Sequence, residues 1–185
     1  PAAFVRNFEP RRDAARFRGF VHRFHRGRDL VLLTAILNRA TASAGSLEGW
    51  FLAGDDPENS DIGAGLSSFC ERSLAVPDLP AGPGVRGGRL SDDAPVRYFF
   101  SAPADGSACK RLNLFLRWMV RRRDGLDFGL WSLVSPARLI IPLDTHIARI
   151  AANIGLTKRR TADWKMALEI TEGLRALDPA DPVRY

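Results

Sequence analysis

Cysteine, lysine and long apolar runs are all scarce in this 185-residue chain. The two cysteines, Cys70 and Cys109, are too few for a disulfide framework or for a four-cysteine metal or iron-sulfur site. No apolar run approaches the roughly 18 residues of a membrane span, and the start lacks the charged and then apolar pattern of a signal peptide. We therefore expect a protein of the reducing cytoplasm that needs no metal or other cofactor and contacts no membrane.

Lysine is the scarcer of the two basic residues. The chain holds 27 lysines and arginines, of which only Lys110, Lys158 and Lys165 are lysines, so a lysine here can mark a place where arginine would not serve. The formal net charge is +6 and the sequence pI is about 10.1, which is typical of a nucleic-acid-binding domain. A basic surface also suits acidic proteins or membranes, so charge alone does not decide the partner.

Hydrophobic periodicity predicts an all-α protein. Residues 13–27 carry phenylalanines at helical spacing, Ser46, Ser60 and Thr161 precede apolar runs as N-caps, and no alternation at period two is found. We expect an N-terminal helical lobe over residues 1–75, a loop rich in proline and glycine over 76–97, and a second helical lobe over 98–185. We also expect the chain to be a fragment truncated at both ends.

The most apolar predicted helix, residues 107–123, carries one polar stripe. Lys110, Asn113, Arg117 and Arg121 are spaced three, four and four residues apart and therefore share a face. Such a stripe faces either solvent or a cleft or polyanion. The basic runs at 121–123 and 158–160 are either solvated helix ends or supplementary DNA contacts.

Two residues have both a structural and a catalytic interpretation. Lys110 lies in the first turn of its predicted helix, where the positive end of the helix dipole disfavours an ammonium and so favours the neutral amine that attacks carbon. The alternative is a lysine that extends into solvent. Asp144, in "PLDTHI", has the sequence of an N-cap, yet a fixed carboxylate also stabilises positive charge that develops on a sugar. A shared role requires the Lys110 amine and the Asp144 carboxylate to face one cleft.

The segment "LDTHIARIAANIGL" resembles "VDTHVxRVxxRLGL" of the helix-hairpin-helix-GPD superfamily of DNA base-excision glycosylases. In that superfamily the aspartate is catalytic, so the resemblance assigns this role to Asp144 and places Thr145, His146 and Arg149 at neighbouring family positions. The family's hairpin and lysine-led helix correspond to "APADGSACKRLNLFLRWM", with Lys110 as the lysine of bifunctional members. The usual hairpin places its lysine two residues after the last glycine, where this chain has Ala108.

Two narrower resemblances follow. "KRLNLFLRWM" is similar to the lysine-led helix of archaeal 8-oxoguanine DNA glycosylases, which also have a divergent hairpin and a longer connection to the aspartate. "GSACKRLNLFLRWMVR", "FGLWSLVSPARLIIPLDTH" and "LDPADPVRY" resemble a bacterial family labelled domain of unknown function 2400, over nearly the whole chain. That family carries no established reaction.

The resemblance to glycosylases implies a two-lobed helix-hairpin-helix architecture and a monomeric repair enzyme acting on double-stranded DNA with a damaged base. A base flipped from the duplex would be excised by Lys110 and Asp144, after which β-elimination could break the strand. Trp131 would stack on the base, unless it belongs to the core. Further DNA contacts are expected from the hairpin, the polar stripe and the aspartate helix: Asp105, Gly106, Ser107, Ala108, Arg111, Asn113, Arg117, Arg121, His146 and Arg149.

Other functions remain open on the sequence alone. A catalytically inactive helical module that binds DNA or another polyanion would share the charge and the fold, and so would a structural interaction domain. His22 and His25 are three residues apart but have no third ligand nearby, so we expect them to form a basic helix end near DNA phosphates rather than a metal site.

Overall fold

The computed structural model describes residues 2–122 and 125–184 of the chain and is about 51% helical. Its helices are α1 Ala2–Arg6, α2 Pro10–Asp13, α3 Gly27–Ala44, α4 Leu47–Leu52, α5 Gly63–Leu74, α6 Lys110–Val120, α7 Thr145–Asn153 and α8 Trp164–Arg175. Short 3₁₀ turns occupy Ala14–Phe17, Pro95–Phe100, Pro103–Asp105 and Pro136–Arg138. The chain is mostly helical, but the all-α prediction missed two short hairpins. Arg123, in the predicted basic run, lies outside the described residues.

Within residues 2–122 and 125–184, four short strands pair as two antiparallel hairpins. Strands β1 Val21–His22 and β2 His25–Arg26 form one, and β3 Val85–Arg86 and β4 Arg89–Leu90 form the other. Each strand has two residues, which is too short to produce the alternation by which strands are recognised in sequence. Within the described part of the chain, no helix is both long and apolar enough to cross a bilayer.

The chain divides into two compact units. The first unit contains residues 2–54 and 68–101, and the second contains residues 55–67 and 102–184. In the first, helix α3 provides the buried Leu32 and Ile36, and Phe51 and Val96 are also fully buried. In the second, the largest fully buried side chains are Ile62, Leu66, Leu116, Leu139, Ile140, Leu143, Met166 and Ile170. Each unit therefore has its own apolar core.

The helix predicted over residues 13–27 is wrong. Helix α2 ends at Asp13, one 3₁₀ turn follows, and the chain then reverses through β1 and β2. Gly19 and Arg23 both adopt left-handed backbone angles, with φ of 82° and 55°, which a right-handed helix does not allow. Phe20 and Phe24 are exposed, so the helical spacing of these aromatics buries no continuous face.

Two of the predicted helix caps, Ser60 and Thr161, need correction. Ser46 caps α4 as predicted, since its Oγ accepts from Gly49 N at 2.9 Å. At α5 the side chain bonded to the first helical N–H is Asp61 rather than Ser60, and at α8 the cap is Asp163 rather than Thr161. In both cases the carboxylate closest to the helix start takes the capping bond, because an ionised acceptor forms the stronger hydrogen bond and interacts favourably with the helix dipole.

Arg138 holds two segments of the second unit together. Its guanidinium pairs with Asp55 through two bonds of 2.7 and 2.8 Å and also donates to the carbonyls of Asn59, Asp56 and Asp61. The carboxylate of Asp55 is fully buried. Most residues that follow Arg138 in the chain are buried, namely Leu139, Ile140, Ile141 and Leu143. This buried stretch leads directly to Asp144.

Candidate active site

Lys110 is the first residue of α6, and the turn before it sets its direction. Gly106 and Cys109 both take left-handed backbone angles, with φ of 76° and 49°. A cysteine with a left-handed backbone conformation is unusual, because the Cβ atom makes this conformation costly. The turn is held from outside by a bond from Trp164 N to Gly106 O at 3.1 Å. The Lys110 side chain leaves this turn with 49% of its surface exposed.

Asp144 is the N-cap of α7. Its backbone is extended, with φ of −128°, and its Oδ1 accepts from the N–H groups of His146 and Ile147, both at 2.9 Å. The buried residues before it, Ile141 and Leu143, fix the approach of the backbone, and Ile141 N donates to the buried Thr171 Oγ1 at 3.1 Å. The capping prediction for Asp144 is therefore confirmed.

The structure brings the Lys110 amine and the Asp144 carboxylate together. Lys110 Nζ lies 2.8 Å from Asp144 Oδ2, although 34 residues separate the two in sequence. The two carboxylate oxygens have different partners. Oδ1 accepts from the helix N–H groups, and Oδ2 pairs with the amine. The Lys110 ammonium and, after it, the N–H group of Ile147 lower the pKa of Asp144 to about 2. Asp144 is consequently ionised at neutral pH while it remains accessible to a ligand.

Both members of the pair lie at helix N-termini, and the two dipoles act on them in opposite ways. The positive end of α7 stabilises the Asp144 carboxylate, whereas the positive end of α6 opposes the Lys110 ammonium. Because the pair is solvent-accessible, its net contribution to folding is at most about 1 kcal/mol.

Replacing Asp144 with alanine is expected to lower the free energy of unfolding by about 1 kcal/mol, because one N-cap is lost. The folded pKa of Asp144, about 2, lies below the ordinary aspartate value of about 3.9. Its stabilisation is therefore complete above about pH 4 and is lost as the pH falls towards 2. Urea unfolding of both proteins at pH 7 and pH 2.5 measures this. An equal difference at the two pH values would contradict the assignment.

The predicted polar stripe of α6 does not face solvent along its length. Asn113 is only 1% exposed, and its Nδ2 donates to Ala108 O at 3.2 Å. Among the described residues, no donor lies within hydrogen-bonding distance of Asn113 Oδ1. Asn113 therefore supports the turn before Lys110 from inside the second unit rather than facing a ligand.

Arg117 and Arg121 are engaged by carboxylates. Arg121 is 5% exposed and pairs with Asp127 and with Asp181, whose oxygens lie 2.9 and 3.0 Å from its Nε. Arg117 Nε lies 3.5 Å from the same buried Asp127. As the structure stands, neither guanidinium is presented to a polyanion. Of the predicted stripe, Lys110 is the exposed member and Arg117 is partly exposed.

The remaining predicted DNA contacts cluster near the pair in sequence. The N–H groups of Asp105 and Gly106 donate to Ala102 O and Pro103 O, so they are used within the turn. Ser107 forms a backbone bridge with Asp163, and Ala108 accepts from Asn113. The other predicted contacts on α6 and α7, Arg111, His146 and Arg149, have exposed side chains.

Two further residues near the pair are buried. Trp131 is 8% exposed and meets Phe115 edge to face, with ring centroids 5.6 Å apart, so in this structure its ring belongs to the core of the second unit. Cys109 is 4% exposed, and burial raises the pKa of its thiol to about 11. A thiol that is protonated at neutral pH is a poor nucleophile.

Arg138 is the residue of this region that the sequence did not reveal. It fixes the backbone that ends in Asp144, yet "SPARL" gives no sign that its arginine is buried. Its partner Asp55 lies 83 residues away, so only a signal of residue covariation could have paired them. Across residues 2–122 and 125–184, no group of three or more histidine, cysteine, aspartate or glutamate side chains could hold a metal ion.

Comparison with known proteins places the whole chain in one family. No curated protein and no solved structure matches it significantly. The profile described as "Protein of unknown function (DUF2400)" matches residues 1–185. A match over the full length, including the segments that carry Lys110 and Asp144, shows that the chain belongs to the DUF2400 family of proteins of unknown function.

Proposed function

We propose that this chain is a DNA base-excision glycosylase with an associated lyase step, in which Lys110 is the nucleophile and Asp144 is the carboxylate that stabilises positive charge on the sugar. The observation that supports the proposal is the 2.8 Å contact between Lys110 Nζ and Asp144 Oδ2 at two helix N-termini. The resemblance of both segments to the helix-hairpin-helix glycosylases, including the archaeal 8-oxoguanine enzymes, gives the pair its proposed chemistry.

The first step breaks the bond between the base and C1′ of the sugar. The electron pair of that bond leaves with the base, and the base nitrogen takes the proton that the Lys110 ammonium gives up. The neutral amine then forms a bond to C1′. Asp144 stabilises the positive charge that develops on the sugar, because its low pKa keeps it ionised and its bonds to α7 hold it in place.

The second step opens the sugar and can break the strand. The C1′–O4′ bond breaks, O4′ takes a proton from the lysine nitrogen, and a Schiff base between Lys110 and C1′ results. Loss of a C2′ proton and departure of the 3′ phosphate complete the β-elimination. An arginine could not perform this chemistry, because its guanidinium stays protonated. This requirement accounts for a lysine at position 110 in a chain that uses arginine almost everywhere else.

Borohydride trapping tests the proposal directly. Sodium borohydride reduces a Schiff base to a stable amine, so the chain should become covalently attached to duplex DNA that contains an abasic site or a damaged base such as 8-oxoguanine. We expect one adduct per protein, seen as a shifted band and located by peptide mapping to Lys110. Absence of both adduct and released base across a broad lesion panel, with protein shown to be folded by circular dichroism, would reject the proposal.

A nucleic-acid-binding module without chemistry is the second candidate. The observation that favours it is that Asp144 already has a complete structural role as the cap of α7. On this hypothesis the Lys110 ammonium only balances a capping carboxylate. It predicts that Lys110→Ala and Asp144→Asn leave both DNA affinity and the cellular phenotype unchanged.

A further inference from the structure

The β1–β2 hairpin presents a surface that the proposed chemistry does not use. Residues 18–26 read RGFVHRFHR, with three arginines and no acidic residue. The side chains of this stretch are exposed except that of His25. Two large aromatic rings are among them, since Phe20 is 39% and Phe24 is 48% exposed. Exposed aromatic rings interleaved with guanidinium groups are the composition of a surface that binds single-stranded nucleic acid.

The tip of the hairpin carries its most unusual residue. Val21 pairs with Arg26 and His22 with His25, which leaves Arg23 and Phe24 as the two-residue loop. Arg23 has φ of 55°, a conformation that glycine or asparagine adopts at lower cost. The loop therefore accepts backbone strain and places a charge and an aromatic ring side by side at the tip.

The aromatic rings form a layered platform. Phe24 meets Tyr98 edge to face, with centroids 4.8 Å apart, and Tyr98 is 61% exposed. Beneath them, His25 lies 4.3 Å from the Phe24 ring and stacks on Phe99 at 4.4 Å. Since His25 is only 4% exposed, the outer rings rest on a buried inner layer.

The platform is anchored to the start of α3. Asp29 Oδ2 accepts from Arg26 N at 2.7 Å and lies 3.8 Å from His25 Nδ1. Gly27 allows the backbone to pass so close to Phe17 that a Cβ at this position would lie 2.1 Å from Phe17 O. A surface held in this way loses little conformational entropy when a ligand binds.

A hollow of about 480 Å³ lies beside the hairpin, which is within the range of ligand pockets. Arginines border an apolar floor that includes Phe17, Phe20 and Val31. Burial lowers the pKa of one of these arginines, Arg28, and among the described residues no acceptor lies within hydrogen-bonding distance of its Nε. The arginines that line the hollow are Arg18, Arg26 and Arg28.

We infer that this hairpin is a binding site for single-stranded nucleic acid, in which bases stack on Phe24 and Tyr98 while Arg18, Arg23 and Arg26 meet the phosphates. The arginines favour a polyanion as the ligand. The exposed aromatic rings favour a polyanion with unstacked bases, because the bases of an intact duplex already stack on one another. A membrane anchor would carry apolar side chains at both tip positions, whereas this hairpin has Arg23 beside Phe24. The inference goes beyond the proposed function, because it depends on neither Lys110 nor Asp144.

Fluorescence anisotropy with a labelled 12-nucleotide oligothymidylate tests the site on the full chain. The double variant Phe24→Ala/Tyr98→Ala is expected to bind about tenfold or more weakly. Arg23→Gly is expected to weaken binding and to reduce the dependence of log K on log salt by about 0.7, the value for one lost phosphate contact on a single strand. Because glycine relieves the left-handed strain at position 23, this variant should fold at least as well as the unaltered chain.

The β3–β4 hairpin supplies a matched control within the same unit. It also has a two-residue loop and two exposed arginines, Arg86 and Arg89, but it has no aromatic residue and is followed by Asp92 and Asp93. Arg86→Ala/Arg89→Ala should therefore change affinity less than threefold. If the β1–β2 variants bind the oligonucleotide as tightly as the unaltered chain does, the inference is overturned. Binding to phosphatidylserine vesicles is measured in parallel. Variants that lose vesicle binding but keep oligonucleotide binding would also overturn the inference. Lys165→Arg, which alters neither the hairpin nor the proposed catalytic pair, should bind the oligonucleotide normally. The assay uses no damaged base, so loss of oligonucleotide binding and lack of glycosylase activity are separate outcomes.

Discussion

Replacing Lys110 with arginine is expected to abolish the borohydride-trapped adduct and to reduce base release by several orders of magnitude, while the fold and the DNA affinity are retained. Arginine keeps the positive charge and can still pair with Asp144, so the ion pair survives. It cannot attack C1′ or form a Schiff base, because the guanidinium remains protonated. The measurements are trapping on abasic DNA, single-turnover base release and DNA affinity by anisotropy. This one substitution therefore separates catalysis from structure at the 2.8 Å contact.

The chain provides its own controls for that experiment. Lys158 and Lys165 are the other two lysines, and both are exposed in the second unit. Their arginine variants should form adducts as readily as the unaltered chain does. If the adduct persists in Lys110→Arg and disappears in another lysine variant, Lys110 is not the nucleophile. If trapping occurs only at the terminal amine, the proposed lyase chemistry is also wrong.

Replacing Arg138 with alanine is expected to lower the free energy of unfolding by about 3–5 kcal/mol, the largest effect on stability that this structure predicts. The Asp55 carboxylate has no exposed surface, so removal of its bidentate partner leaves a buried charge without compensation. Three backbone carbonyls lose a donor at the same time. Urea unfolding at pH 7 measures the difference, and the transition midpoint should fall without a change in the slope.

Two further variants test whether the stability cost is specific to the buried Arg138–Asp55 pair or is common to ion pairs of this chain. Glu172→Ala breaks the pair with Arg175, in which the glutamate is 63% exposed, and it should cost at most about 1 kcal/mol. Arg138→Met combined with Asp55→Leu replaces both buried charges and should recover much of the loss. If Arg138→Ala costs no more than Glu172→Ala, Arg138 does not have the structural role described here. Because Arg138 fixes the backbone before Asp144, base release by its alanine variant should also decline near physiological temperature.

The local sequence around Asp144 was sufficient to predict that this residue is the N-cap of a helix. A carboxylate after an apolar stretch and before a helical pattern has one low-energy arrangement, in which it accepts the first free N–H groups of the helix. The residues that carry the information are neighbours in the chain. The same holds for Ser46 at α4.

The partners of the polar stripe of α6 could not be predicted from the local sequence. Spacing predicted that Asn113, Arg117 and Arg121 share a face of one helix, but it could not indicate what these side chains would meet, and α6 ends at Val120, before Arg121. Asp127 and Asp181 meet Arg121 there, from 6 and 60 residues away. The hairpin at residues 21–26 was predicted as helix for a related reason. Its aromatic spacing is helical, whereas the contacts that accompany the chain reversal, Arg26 with Asp29 and Phe24 with Tyr98, join residues from other segments.

The sequence by itself determined that the chain is mostly helical, that Asp144 caps a helix and that Lys110 lies in the first turn of one, because these properties depend on residues within one or two helical turns. Only the tertiary structure decided that Lys110 Nζ lies 2.8 Å from Asp144 Oδ2, that Arg121 is buried among carboxylates and that Arg138 holds the segment before Asp144. Each of these depends on contacts between residues distant in sequence, and such contacts form only when the apolar segments of a unit pack into one core.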